Sequence, residues 1–146
     1  MRKTLHTENV IRAPARRVWE LLVDFQGYRR WNPFIPSVRG MAEVGQWLEV
    51  VVQAPGGRPH RLRPTVVTLR PERELGWIAR FARLPGVFDG EHSFVVEPLE
   101  QGSVRFVHTE RFVGILVPFV WPFIAPRTRA GFEAMNRALR HQAEQD

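Results

Sequence analysis

The chain has no cysteine, one lysine, one tyrosine and three serines among its 146 residues. Without cysteine there is no disulfide framework, no thiolate-held zinc or iron–sulfur centre and no thiol nucleophile. The serines, Ser37, Ser93 and Ser103, stand in no GxSxG elbow, and none belongs to a recognisable triad. Phosphate loops of the GxGxxG or GxxxxGK[ST] type are missing too. Pro55-Gly56-Gly57-Arg58 lacks the lysine and the following helix. No apolar run reaches the roughly 18 residues of a membrane span. The richest segment, Phe112–Pro126, is interrupted by Pro118, Pro122 and Pro126. Met1–Arg12 has early charges but no apolar core or cleavage site, so it does not read as a secretory leader. A cytoplasmic protein without metal or cofactor is expected.

What is abundant is arginine. Twenty of the 21 basic residues are arginine, against 15 acidic ones, for a formal charge of +6. Such a balance would ordinarily suggest nucleic acid. Here the arginines are scattered, with no run longer than the pairs Arg16–Arg17 and Arg29–Arg30. With 12 prolines, the composition resembles the bias of a GC-rich genome more than a polybasic surface, and nucleic acid is not the expected partner. The length suits a single domain over 1–146 with a core of its own.

The order of periodicities is informative. Thr4–Ile11 alternates as a strand. Pro14 suits a helix start, and Pro14–Phe25 carries Val18, Leu21, Leu22 and Phe25 on one helical face. Gly27 ends that helix, Tyr28–Arg30 makes a short further turn, and Trp31-Asn32-Pro33-Phe34 turns sharply. Strand patterns follow at Trp47–Gln53, His60–Leu69, Leu75–Arg83, Phe88–Pro98 and Val104–Phe112. The short turns between the later strands require antiparallel pairing. Arg127–Gln142 closes the chain as a helix with Phe132, Met135 and Leu139 on one stripe. The prolines at 122 and 126 predict an irregular Val117–Pro126. This is an α+β design: one curved antiparallel sheet of six or seven strands wrapped around a C-terminal helix, with a gap between them where a ligand could lie.

The segments Val10-Ile11-Arg12-Ala13-Pro14-Ala15, Val18–Phe25 and Tyr28-Arg29-Arg30-Trp31-Asn32-Pro33-Phe34 resemble the START-like helix-grip superfamily. Phe88–Phe94, His108–Leu116 and Gly131–Asn136 resemble its bacterial polyketide cyclase/dehydrase-like branch. The resemblance spans residues 4 to 143. It implies a cavity between sheet and long helix that takes a small hydrophobic, aromatic, polyketide-like or lipid-like molecule. Some members of the superfamily are cyclase-type enzymes, and others, like the Hsp90-activator domains, are interaction modules. Related chains often run the long helix unbroken from near residue 117, which the prolines here argue against.

Strand parity selects the inward side chains. These are Trp77 and Phe81 on one strand, with Phe88, His92 and Phe94 on the next. His108, Glu110 and Phe112 follow on a third, and Phe132 and Met135 face them from the helix. His92, His108 and Glu110 are the only ionisable groups in this set. They could be a hydrogen-bonded trio fixing strand register, orient a ligand, or work as acid and base after burial shifts their pKa values. A metal is not expected, since no close ligand pair such as HExxH occurs. Trp31, Trp47 and Trp121 are further aromatic candidates, and Trp19 reads as helix-to-sheet packing. Asn32 suits an Asx turn, and the resemblance implies that the neighbouring loop lies near a cavity mouth, which Phe34 and Ile35 could gate. An exposed Phe119–Ile124 would mark an interaction face or a natural homodimer surface.

Overall fold

The computed structural model of the chain describes residues 2–81 and 84–145. Among the described residues eight strands and three helices follow one another as β1 (Arg2–Ile11), α1 (Ala15–Val23), α2 (Tyr28–Trp31), β2 (Ser37–Arg39), β3 (Glu49–Val52), β4 (His60–Leu62), β5 (Thr65–Arg70), β6 (Glu74–Arg80), β7 (Asp89–Pro98), β8 (Val104–Val113) and α3 (Val117–Ala143). A 3-10 turn over Phe25–Gly27 links α1 to α2. The expected α+β helix-grip architecture is present, with α3 packed against β1 and β8.

The strands form two sheets where one was expected. Five run in the order β1-β8-β7-β6-β5, and three in the order β2-β3-β4, all neighbours antiparallel. The expected single strand His60–Leu69 is divided between the sheets at Pro64. A proline cannot donate to a ladder. Its carbonyl accepts from Leu48 N at 2.8 Å, and the Trp47–Thr65 bridge holds the sheets together at this corner. The strand expected over Leu75–Arg83 ends at Arg80, and Arg83 lies outside the described residues.

The core lies between the five-stranded sheet and the helices. Val18, Leu21 and Leu22 of α1 are buried, as are Phe132, Met135, Asn136 and Leu139 of α3. The hairpin joining β7 to β8 turns at Gln101 and Gly102, both at positive φ, with Leu99 N donating to Ser103 O at 2.8 Å. That tight turn fixes the register in which His92 faces Glu110 and Phe94 faces His108.

The irregular segment expected at Val117–Pro126 is instead helix, continuous with the rest of α3. The reason is where the prolines fall. Pro118 sits in the first turn, where no backbone donor is needed. Pro122 and Pro126 follow at four-residue intervals on an exposed stripe. The carbonyls they leave without partners, at Pro118 and Pro122, therefore face solvent and can bond water. Helix propensity lost on that side is offset by Val117, Trp121, Ile124 and Ala125, which pack towards the core. Among the described residues no helix is long and apolar enough to cross a membrane.

Candidate functional site

Strand pairing puts the three ionisable candidates on one face of the sheet. His92 on β7 and His108 and Glu110 on β8 all point between sheet and α3. His92 is 4% exposed and His108 fully buried. Their Nε2 atoms meet at 2.6 Å. His108 Nδ1 lies 2.8 Å from Asn136 Oδ1 on α3, and Asn136 Nδ2 donates to Thr7 Oγ1 on β1 at 2.8 Å. Thr7 Oγ1 donates in turn to the His108 carbonyl at 3.2 Å. At the other end, His92 Nδ1 is 3.6 Å from Glu110 Oε1, too far for a direct hydrogen bond.

Burial sets the charge states. It lowers both histidines from the usual 6.5, His108 to about 3 and His92 well down, with His108 adding to the effect at His92. Burial pushes the Glu110 carboxyl up from 4.5 to about 8. At neutral pH both imidazoles are therefore neutral and the Glu110 carboxyl is predominantly protonated. Glu110 fits because the diagonal position on β7 is Gly90, which pairs with Phe112. A β-carbon there would collide with the Glu110 carboxylate and touch the Phe112 ring at 3.7 Å.

Aromatic rings surround this polar chain. Phe132 stacks on His108 at 3.8 Å between centroids, nearly parallel, and lies 5.1 Å from His92. Phe94 is 4.7 Å from His92 and 4.9 Å from His108, and Trp77 is 5.6 Å from His92. Trp77, Phe94, Phe112, Phe132 and Met135 are buried. Phe88 is half-buried and rests on Phe112, which meets Trp121 edge to face.

Phe81 is a correction. It is 59% exposed, because β6 ends at Arg80 and the chain leaves the pleat before the alternation reaches it. Trp47 is likewise exposed, with the Arg63 guanidinium over its ring. Trp31 and Trp121 are half-buried, and Trp19 packs against the core from α1.

The expected gap between sheet and helix is filled where Phe34 enters it. Asn32 Oδ1 accepts from Phe34 N at 3.0 Å and Ile35 N at 2.8 Å, the Asx turn its position suggested. That turn drives both side chains inward rather than to a mouth. Phe34 is 5% exposed, and its ring lies 6.4 Å from His92, 6.3 Å from His108 and 5.6 Å from Phe132. It fits because α3 has Gly131 opposite, where a β-carbon would overlap the ring. Open grooves lie elsewhere among the described residues. One, of about 540 Å³, runs past Phe25, Arg29, Ser37 and Arg39, and one of about 280 Å³ lies beside Trp47 and Arg80.

Asn136, Thr7 and the inward course of Phe34 were not assigned from sequence. A polar residue on the buried stripe of α3, between Met135 and Leu139, was the available signal for Asn136. Thr7 needed the register of β1 on β8, which no local pattern specifies.

Comparison with known proteins agrees with this architecture. The fold matches Zhui aromatase/cyclase from Streptomyces sp. R1128 with a TM-score of 0.79, at 18% identity over 99% of this chain and 94% of that one. A START superfamily protein from Mycobacterium smegmatis matches at 0.75, with 20% identity over 97% of each chain. Norcoclaurine synthase from Thalictrum flavum also matches at 0.75, with 19% identity over all of this chain and 88% of that one. No curated protein matches the chain in sequence. The model of one family, polyketide cyclase/dehydrase and lipid transport, matches residues 2–144. With helix, sheet and inward-facing residues all inside that match, the chain belongs to this family.

Proposed function

We propose that the chain is a cytoplasmic container for one small, flat, hydrophobic molecule, aromatic, polyketide-like or lipid-like, held between the five-stranded sheet and α3. The observation that carries this is a polar chain, Glu110, His92, His108 and Asn136, set inside an aromatic box of Trp77, Phe94 and Phe132. Glu110, with its side chain 15% exposed and 3.6 Å from His92 Nδ1, gives this chain a polar end that a ligand's polar group could reach. Phe34 holds the ligand's place in the closed form. It arrives on a turn rather than a strand or helix, and a ligand ring taking its place would replace its contacts with His92, His108 and Phe132. Phe88, Phe112 and Met135 would form the remaining wall. Membership of a family described by cyclases, dehydrases and lipid transport supports the same role.

The test uses naphthalene, a flat apolar probe without a polar group, followed by methyl and aromatic NMR shifts. The expected result is saturable binding with shifts concentrated at Trp77, Phe94, Phe132 and Met135. No binding at the solubility limit, or shifts confined to the groove at Arg29 and Arg39, overturns the container role.

A second role is favoured by one feature, the pairing of a protonated carboxyl with a neutral imidazole. Glu110 would serve as general acid and His92 as general base in a cyclase or dehydratase step. The exposed stripe Ile115, Phe119 and Phe123, 68%, 72% and 76% accessible, supports self-association, as in a homodimer. Light scattering at rising concentration tests this, and a monomer throughout overturns it.

A further inference from the structure

The hydrogen bonds running inward from β1 all have one possible direction. The His108 carbonyl can only accept, so Thr7 must give it its hydroxyl proton. Thr7 Oγ1 is then left to accept, which orients the Asn136 amide with Nδ2 towards Thr7 and Oδ1 towards His108. An amide oxygen only accepts, so His108 carries its proton on Nδ1. As a neutral ring it has a bare Nε2, and the Nε2 contact of 2.6 Å requires the proton between them to belong to His92. His92, also neutral, is left with a bare Nδ1. That lone pair faces Glu110 Oε1 across 3.6 Å.

We infer that Thr7 and Asn136 are positioning residues which fix both histidine tautomers, so that His92 Nδ1 and the Glu110 carboxyl form an acceptor–donor clasp for one hydroxyl group of the ligand. This rests on the container role and names the polar group its ligand carries. The gap is too wide for a direct bond and is spanned when a single oxygen donates to His92 Nδ1 and accepts from the Glu110 carboxyl. A hydroxyl does both at once. An ether or ketone offers no proton to His92, and an ammonium offers no lone pair to Glu110. The aromatic part of the ligand would lie where the Phe34 ring now lies, against Phe132 and the two imidazoles. An alcohol, phenol or enol on a flat apolar body is therefore the class that fits.

Two measurements test this. Long-range proton–nitrogen NMR of the ligand-free protein at neutral pH reads the tautomers without any ligand. The expected spectrum has His108 protonated at Nδ1 and His92 at Nε2. Thr7→Ser keeps that pattern. Thr7→Val frees the Asn136 amide to turn over and adds a second tautomer set. The opposite tautomers in the wild type, or an imidazolium at either position, overturn the clasp. The second measurement compares 2-naphthol with 2-methoxynaphthalene, which keeps the oxygen and loses the proton. The hydroxyl form is expected to bind about tenfold more tightly, and the preference to vanish in Glu110→Leu. Equal affinity, with naphthalene still bound, overturns the clasp and leaves the container role standing. Failure of all three probes to bind overturns both.

Discussion

Replacing Glu110 by glutamine removes one titrating group from the interior while keeping the size of the side chain. The consequence can be worked out from the protons. In the unfolded chain a glutamate loses its proton near 4.5, whereas in the fold Glu110 keeps it up to about 8. Between those values the folded state binds one proton more than the unfolded state, so stability falls as pH rises, by about 1.4 kcal/mol per unit. The buried histidines act in the opposite sense. Both are neutral in the fold and protonated in the unfolded chain below 6.5, so stability rises with pH up to that value and no further. Glu144, lowered by the Arg12 backbone N–H, acts below 4.5, and Tyr28, raised by burial, acts above 10. The wild-type curve should therefore peak near pH 6.5 and decline to about 8 through Glu110 alone. That decline spans one and a half units, about 2 kcal/mol. Urea unfolding followed by tryptophan fluorescence from pH 5 to 9 would show it as a midpoint shift of about 1 M. In Glu110→Gln the curve should stay flat from 6.5 to 8 and rise twice as steeply below 6.5. A wild type with no decline above 6.5, or a variant that keeps it, refutes the assignment of a buried, protonated carboxyl.

Two further predictions concern packing. Phe34→Ala removes a ring in contact with Phe132 and both histidines, and should cost about 3–5 kcal/mol. Saturating naphthalene at a hundred times its dissociation constant should restore about 2.7 kcal/mol, read as a rise in melting temperature. No rescue would mean that Phe34 does not occupy the ligand's place. Pro122→Ala restores a donor to the Pro118 carbonyl on an exposed helix face and should stabilise the protein by about 1–3 kcal/mol in urea unfolding. A loss of stability would show that the prolines, rather than their packing neighbours, define this end of α3.

Much of the site was legible because strand parity is a strong constraint. Once the β7–β8 hairpin was placed, His92, Phe94, His108, Glu110 and Phe112 had to share a face. The same rule failed at Phe81, where the strand stopped early, since parity says nothing about where a strand ends. Pro122 and Pro126 misled for a related reason. Propensity counts a lost hydrogen bond as a break, whereas the structure keeps these prolines on the exposed side of α3, where the orphaned carbonyls can bond water. The division of His60–Leu69 into two sheets was signalled by Pro64, but only the Leu48 and Trp47 contacts decide which sheet each half joins. Thr7, Asn136 and Phe34 come together from a first strand, a last helix and an early turn. No window of sequence contains all three.

The spacing of the three prolines matters beyond the continuity of α3. Trp121 lies on the stretch that Pro122 and Pro126 leave short of backbone bonds, and its ring caps Phe112, which with Glu110 flanks Gly90. The rest of α3 has its full ladder, including the turns that carry Phe132 and Asn136. Fluctuations of the helix should therefore concentrate at its N-terminal third, and amide hydrogen exchange should be fastest there. That places the molecule's most easily breached wall on the side of Phe112 and Gly90, and far along the helix from the Asn136 anchor. A visitor from solvent would meet Glu110 before either histidine.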